Sequence, residues 1–453
     1  MKKLIFIFII SCLNVLYLSS QVINPTGDFN VPRWKHEAIL LNNGKVLAFG
    51  GNDGAMTPTA YKSAELYNPA SGSWNMTGDM VEARYEMASA MLSNGNVIAI
   101  GGQFGNFYGS MTSEIYDVAT GTWSKADSMN RVRYGHRAVV LNNGKILIAG
   151  GLPSTNTTEI YDPIANSWTY TGNMNVIRNE GLSLTLLNNG KVLAAGGNNT
   201  GALNTAELYD PSTGVWTSIS SNMYGKRYNH SAILLNNGKV LLAGSSDLSN
   251  GDDKTAELYD PVTNTFSPTG NLQQSRINNA TIKMNNGDVL IYGWGDYTNP
   301  SNTKCIEVYN VATGTWSTSQ MYNIMGTIGY SINKLPNNKI LVAGGLAFSS
   351  TATNVSKLIN DNTVSGIVNE FDYANIDVYP NPTNDFIYIE GLKMNNNKLL
   401  FKLFDNTGKE IISNYLTQDL NFINIKALPK GLYYYHIFDN EQFIKAGKII
   451  ILN

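Results

Sequence analysis

Six arginines recur at one phase of this chain, and they are the first residues to weigh as chemistry. Arg33, Arg84, Arg133, Arg227 and Arg276 each lie eight residues before a turn leucine or methionine, and Arg178 lies nine before. Guanidinium groups gathered by a repeating architecture could hold an anionic ligand. Glu65, Glu114, Glu159, Glu207, Glu257 and Glu307 recur with the same regularity, however. Pairing one arginine with one glutamate in each repeat satisfies both charges, whereas a buried arginine left alone is costly. The expectation is six structural ion pairs. His36, His136 and His230 stand three residues after three of the arginines, and Met87, Gly181, Asn279 and Tyr330 hold that place in the other copies. Three imidazoles make a metal site when they converge. These come from alternate copies, with no acid regularly beside them, so they are expected to be structural. No metal ligand, cofactor or catalytic residue is assigned, and no Ser-His-Asp, Cys-His or paired-carboxylate constellation emerges.

The elements that must position these residues announce themselves through glycine. Gly50-Gly51, Gly101-Gly102, Gly150-Gly151, Gly196-Gly197 and Gly344-Gly345, with degenerate Gly244-Ser245 and Gly293-Trp294, have first glycines 51, 49, 46, 48, 49 and 51 residues apart. A period of that length marks a small sheet repeated about an axis. Ahead of the first pair stands the turn Leu41-Asn42-Asn43-Gly44-Lys45, whose Asn-Gly favours positive φ and closes a tight hairpin. The apolar run Val46-Leu47-Ala48-Phe49 between them predicts a short, fully buried strand. Ala64-Glu65-Leu66-Tyr67-Asn68-Pro69, then Gly72 and Trp74, predict a third strand, a second turn and a fourth strand. Trp123, Trp168, Trp216 and Trp316, with Phe266, repeat that last position. A lone sheet of this size cannot bury both faces, so the copies must stack.

Turn, strand, Gly-Gly and a fixed Tyr-to-Trp interval together resemble the kelch repeat, as in Tyr67 to Trp74, Tyr161 to Trp168 and Tyr309 to Trp316. The resemblance covers residues 21–360 and implies an all-β fold, a seven-bladed kelch β-propeller. Its last copy is degenerate, with Leu358 and Ile359 but no Tyr or Trp. Residues 23–33 align with 168–178, so the chain enters its repeats in fourth-strand phase and leaves them in third-strand phase near Ser356 to Asn360. The N-terminal segment is expected to complete the last blade and close the ring, which removes free sheet edges. Thr363 to Val368 is the other segment that could do so. Some kelch propellers resemble galactose oxidase, a copper enzyme with a Tyr cross-linked to Cys. Cys305 looks instead like a small apolar strand residue, and no matching Tyr-His pair is present, so an oxidase is not expected.

Composition fits a secreted all-β protein of two domains: 453 residues, 42 of them Gly, 10% aromatic and only 15% charged. The formal charge of −2 gives no electrostatic reason to expect nucleic acid or acidic lipid as a partner. Lys2-Lys3, an apolar run to Leu18 and Ser19-Ser20 have the build of a signal peptide over residues 1–20. Its removal is expected to leave no transmembrane span and a single cysteine, Cys305, hence no intramolecular disulfide.

Beyond residue 360 the period disappears. Residues 361–374 have linker composition, and short alternating strands then predict a small Ig-like β-sandwich over 375–453. Val378-Tyr379-Pro380-Asn381-Pro382, Leu428-Pro429-Lys430-Gly431-Leu432-Tyr433 and Gly447-Lys448-Ile449 closely resemble the C-terminal sorting domain of type IX secretion cargo. The resemblance implies that residues 375–453 engage the secretion machinery of a Gram-negative bacterium. The cargo would cross the periplasm and be released or attached to the outer surface.

Variation between copies points to where a ligand would sit. The connections from second to third strand change length while both turns barely do, and variable loops on a rigid scaffold usually carry function. They hold Tyr61, Phe104, Phe107, Tyr108, Tyr297 and Phe348 among Asn, Ser, Thr and Gly. Aromatic faces beside amides and hydroxyls suit an extracellular glycan or protein ligand. Asp247, Asp252 and Asp253 share one loop, but their spacing matches no calcium motif. The leading expectation is a non-enzymatic binding protein. The alternative is a carbohydrate-active enzyme whose site is assembled from propeller loops, and an adhesion protein without a small ligand stands behind both.

Overall fold

The computed structural model describes residues 23–105, 108–247, 252–294, 306–318, 328–346, 351–361, 377–379, 382–390, 399–416, 420–439 and 442–452. The expected signal peptide and nearly all of the expected linker lie outside them. Contacts divide the chain into two compact units, Met1–Ile367 and Val368–Asn453.

Within the first unit, the described residues form seven four-stranded antiparallel sheets. The first sheet runs Glu37–Leu40, Val46–Phe49, Ala64–Asn68 and Ser73–Met76 in spatial order. Its second strand is buried at every residue, as are Val97–Ile100, Ile146–Ala149 and Val240–Ala243 in later copies. Such strands have neighbours on both faces, which is why they are apolar without alternation. The first strands of neighbouring sheets touch in an unbroken circuit and therefore surround the axis. Between successive sheets lies an apolar cluster; Leu47, Phe49 and Ala64 of the first meet Val97, Tyr116 and Trp123 of the second. The circuit closes where Leu341, Ala343 and Leu358 of the last sheet pack on Val46, Tyr67 and Trp74 of the first.

Closure uses the N-terminal segment, as the phase match expects. Ile23–Pro25 is the fourth strand of the last sheet, with Ile23 opposite Ile359 and Pro25 opposite Lys357. Phe29 follows it into the seam, 4.2 Å from Trp74 between ring centroids. Thr363 to Val368, the competing segment, lies outside the described residues.

The second unit has a three-stranded sheet, Asp377–Tyr379, Phe386–Glu390 and Leu420–Asn424. A four-stranded sheet is ordered Glu410–Leu416, Leu399–Phe404, Gly431–Asp439 and Gln442–Ile451. Ile387, Ile389 and Ile423 of one share a core with Phe401, Leu403, Ile437 and Ile449 of the other. Gly447 is needed there because a Cβ would lie 2.5 Å from the Tyr435 ring, which itself stacks on Phe401. No helix among the described residues is long and apolar enough to cross a membrane.

Candidate functional site

Six buried ion pairs join the repeat arginines to the repeat glutamates. The distances are 3.0 Å for Arg33–Glu65, 2.6 Å for Arg84–Glu114, 3.1 Å for Arg133–Glu159, 3.2 Å for Arg178–Glu207, and 2.7 Å for both Arg227–Glu257 and Arg276–Glu307. Arg33 also donates to the carbonyls of Gly50 and Ser63, each at 2.8 Å. Glu65 in turn accepts the backbone N–H groups of Asn30 and Val31. Burial lowers the Arg33 pKa while the carboxylate of Glu65 raises it. Each pair pins the loop entering a sheet to that sheet's third strand. Guanidinium groups bound in this way are not offered to an anion at the axis.

The Gly-Gly pair explains the histidines. A Cβ on Gly101 would stand 2.5 Å from the Arg133 carbonyl oxygen and 2.9 Å from His136 Cε1 of the next sheet. His230 and His36 cover Gly196 and Gly344 in the same manner, and Met87, Leu182, Asn279 and Tyr330 cover the remaining four. Leu182, not Gly181, takes this place in the fourth sheet. An extra residue after Arg178 displaces the register, so counting forward from the arginine misleads there. The three imidazoles are wedges at separate seams. Burial first, then the neighbouring arginines, pushes each of their pKa values down to about 3. Nε2 of His36 lies 3.0 Å from Ser331 Oγ, and Nε2 of His230 lies 3.0 Å from Ser183 Oγ.

One step nearer the axis, the entry to every sheet carries a residue in left-handed conformation: Lys35, Glu86, Gly135, Gly181, Asn229 and Gly329 precede the first strand, and Asn278 lies at the start of the strand Ile277–Lys283. Backbone hydrogen bonds link several of them across seams: Glu86 N–H to Lys35 O at 3.2 Å, Gly135 N–H to Glu86 O at 2.9 Å and Asn229 N–H to Gly181 O at 2.8 Å. These residues form the rim of the axial mouth. Immediately before four of these residues in the chain stand Trp34, Tyr85, Tyr134 and Tyr228, each following a repeat arginine. The second-to-third-strand loops join this layer: Trp34 pairs with Asn52, Tyr85 with Gln103, and Tyr134 with Leu152. Lys35 bonds Glu86 and sits 4.5 Å above the Trp34 ring.

Sequence reasoning missed these four aromatics. Their signal is the recurring dipeptide Arg-Trp or Arg-Tyr, which only four of the six copies carry, whereas the arginine itself keeps the period through all six. Of the loop aromatics expected as ligand contacts, Phe104 and Tyr108 lie opposite one another in a small hairpin, exposed and stacked at 6.2 Å. Tyr61 is half-buried in the second-to-third-strand loop of the first sheet, where its electrostatic neighbours are Asp53 and Arg33. Phe107, Tyr297, Phe348 and Cys305 lie outside the described residues. Asp253 is buried and uses its carbonyl to accept Arg276 N–H.

Residues 35–245 match the family model of the KLHDC2/KLHL20/DRC7 Kelch-repeats domain, and residues 377–452 match that of the secretion system C-terminal sorting domain. The chain carries a kelch-repeat domain and a type IX sorting domain. It is thus cargo of type IX secretion, released or held at the cell surface. Among curated proteins none matches. A solved structure of a copper-bound fungal alcohol oxidase of the AA5 family is similar with a TM-score of 0.60 at 14% identity, over 95% of this chain and 99% of that one. At that identity the likeness is one of fold.

Proposed function

We propose that this kelch protein binds extracellular carbohydrate through the face formed by its second-to-third-strand loops. The observation that carries the reading is the gathering of Trp34, Tyr134, Tyr228, Phe104 and Tyr108 on the side of the ring where loop length varies. The recurring ionisable groups, by contrast, are engaged in ion pairs and seams. Aromatic faces stack on the C–H faces of sugars, and a rigid ring presents them with little ordering cost. Binding without catalysis is the form proposed.

A glycan-array screen of the secreted full-length chain tests this, with reducing-end release measured on every glycan that binds. Saturable glycan binding without cleavage is the expected result. Cleavage would replace it with the enzyme reading. Binding to surface proteins but to no glycan would replace carbohydrate with a protein partner.

A further inference from the structure

We infer that the hairpin of the second sheet is a subsite for an uncharged hexopyranose unit, with the seam beneath it supplying a hydroxyl partner. The inference rests on the carbohydrate reading above and names where and what the face binds. Phe104 and Tyr108 are 45% and 67% exposed, their rings 28° from parallel. They offer two adjacent apolar faces on a two-strand support. Gly109 continues this hairpin, and a Cβ there would lie 3.0 Å from Tyr134 Cδ1, so the strand rests directly on the Tyr134 ring. The platform is thereby fixed to the third sheet as well as the second.

Tyr85 lies at the root of the same hairpin. Its backbone pairs with Gln103 there, its side chain is 2% exposed, and its hydroxyl has no hydrogen-bond partner. A buried phenol normally finds one, because an unmade bond costs the group its solvation. The electrostatic neighbours of this phenol are Glu86 and Tyr134, and burial together with them pushes its pKa to about 12. It therefore stays protonated and able both to donate to and to accept from a sugar hydroxyl. The charged neighbour of this phenol is an acid, Glu86, already paired with Lys35, so the hydroxyl has no free cation beside it to draw in uronate or sulfate groups, which favours neutral sugars.

Affinity gel electrophoresis of the full secreted chain in neutral glucan, mannan or xylan, and in polygalacturonate, tests the assignment. Retardation is expected in at least one neutral polymer and not in polygalacturonate. Phe104→Ala and Tyr108→Ala should each weaken it at least tenfold, and Tyr85→Phe severalfold. The two platform rings are exposed, so an unchanged melting temperature is expected and separates lost binding from lost folding. Full retardation of the Phe104→Ala/Tyr108→Ala double variant would overturn the hairpin assignment while leaving the loop-face reading intact. Retardation in polygalacturonate alone would overturn the neutral class. No retardation of the wild-type chain in any polymer, with an empty glycan array, would remove the carbohydrate reading itself.

Discussion

At the scale of single residues, the repeats differ in whether each seam completes its hydrogen bonds. His36 and His230 reach Ser331 and Ser183, but both nitrogens of the fully buried His136 have no partner. Ala88 stands opposite Ile100, the place that Ser331 and Ser183 occupy in their sheets. Ala88→Ser should therefore give His136 a bond and raise stability by about 1 kcal/mol, read from urea unfolding. The same logic explains two orphaned indoles. Trp74 donates to Ser356, whereas Trp123 and Trp316 follow sheets that carry Ala64 and Ala256 at the equivalent place, and their N–H groups have no partner. The histidines also set a pH dependence. Their folded pKa of about 3 lies below the unfolded value of about 6.5. Their contribution is thus complete above about pH 6.5 and is lost as pH falls toward 3, at about 1.4 kcal/mol per unit for each. Leucine already serves as the wedge at position 182. His136→Leu should leave stability at pH 7 unchanged or higher and remove one histidine's share of the slope between pH 6 and 4, measured by urea titration at each pH.

At the scale of elements, what holds one sheet to the next is the Gly-Gly strand end meeting the neighbour's entering loop. Gly102 donates its N–H to the Arg133 carbonyl at 2.9 Å, and Gly51 does the same to Arg84. Gly101 and Gly105 separate the two reasons for glycine. Both have positive φ, but Gly105 has open space where its Cβ would be, while Gly101 faces Arg133 and His136. Gly105→Ala should cost about 1 kcal/mol from backbone strain alone, and Gly101→Ala about 2–5 kcal/mol once the overlap is added. Equal losses in a denaturation comparison would refute this account of the pair. The strands and turns were legible in the sequence because each is specified locally, by an apolar run such as Val46–Phe49 and an Asn-Gly turn. The arginine–glutamate pairing was legible because both recur once per copy. The wedge at Leu182 was not, since one inserted residue breaks the count. Nor was the placement of Trp34, Tyr85, Tyr134 and Tyr228, one to a sheet beside the left-handed residues, because it depends on where the circuit puts the residue that follows each arginine.

At the scale of the whole molecule, two units answer two different demands. The first must close upon itself, and it does so by joining its two sequence ends in one sheet, so the third strand of the last blade, Ser356–Asn360, is covered by Ile23–Pro25 and is not left as an open edge. The second must be recognised for export, and its last strand is where that demand can be tested without touching the first. Gln442–Ile451 pairs along Gly431–Asp439 from Ile451 opposite Gly431 to Gln442 opposite Asp439. Ile449 and Ile451 are buried in the core of that unit. Deleting Lys448 to Asn453 removes both isoleucines and the main-chain partners of residues 431–434. Loss of two core side chains costs about 4–10 kcal/mol, comparable to the whole stability of a domain this small, so the sorting unit should unfold. The propeller loses no residue and should keep its cooperative melting transition. Because the machinery recognises the sorting domain, the truncated chain should accumulate in the periplasm and vanish from the culture supernatant and cell surface. Immunoblots of the three fractions, with melting of the periplasmic material, check both halves of the prediction. Undiminished export of a chain whose C-terminal unit has unfolded would mean that recognition reads an extended segment, with the folded sandwich dispensable to it.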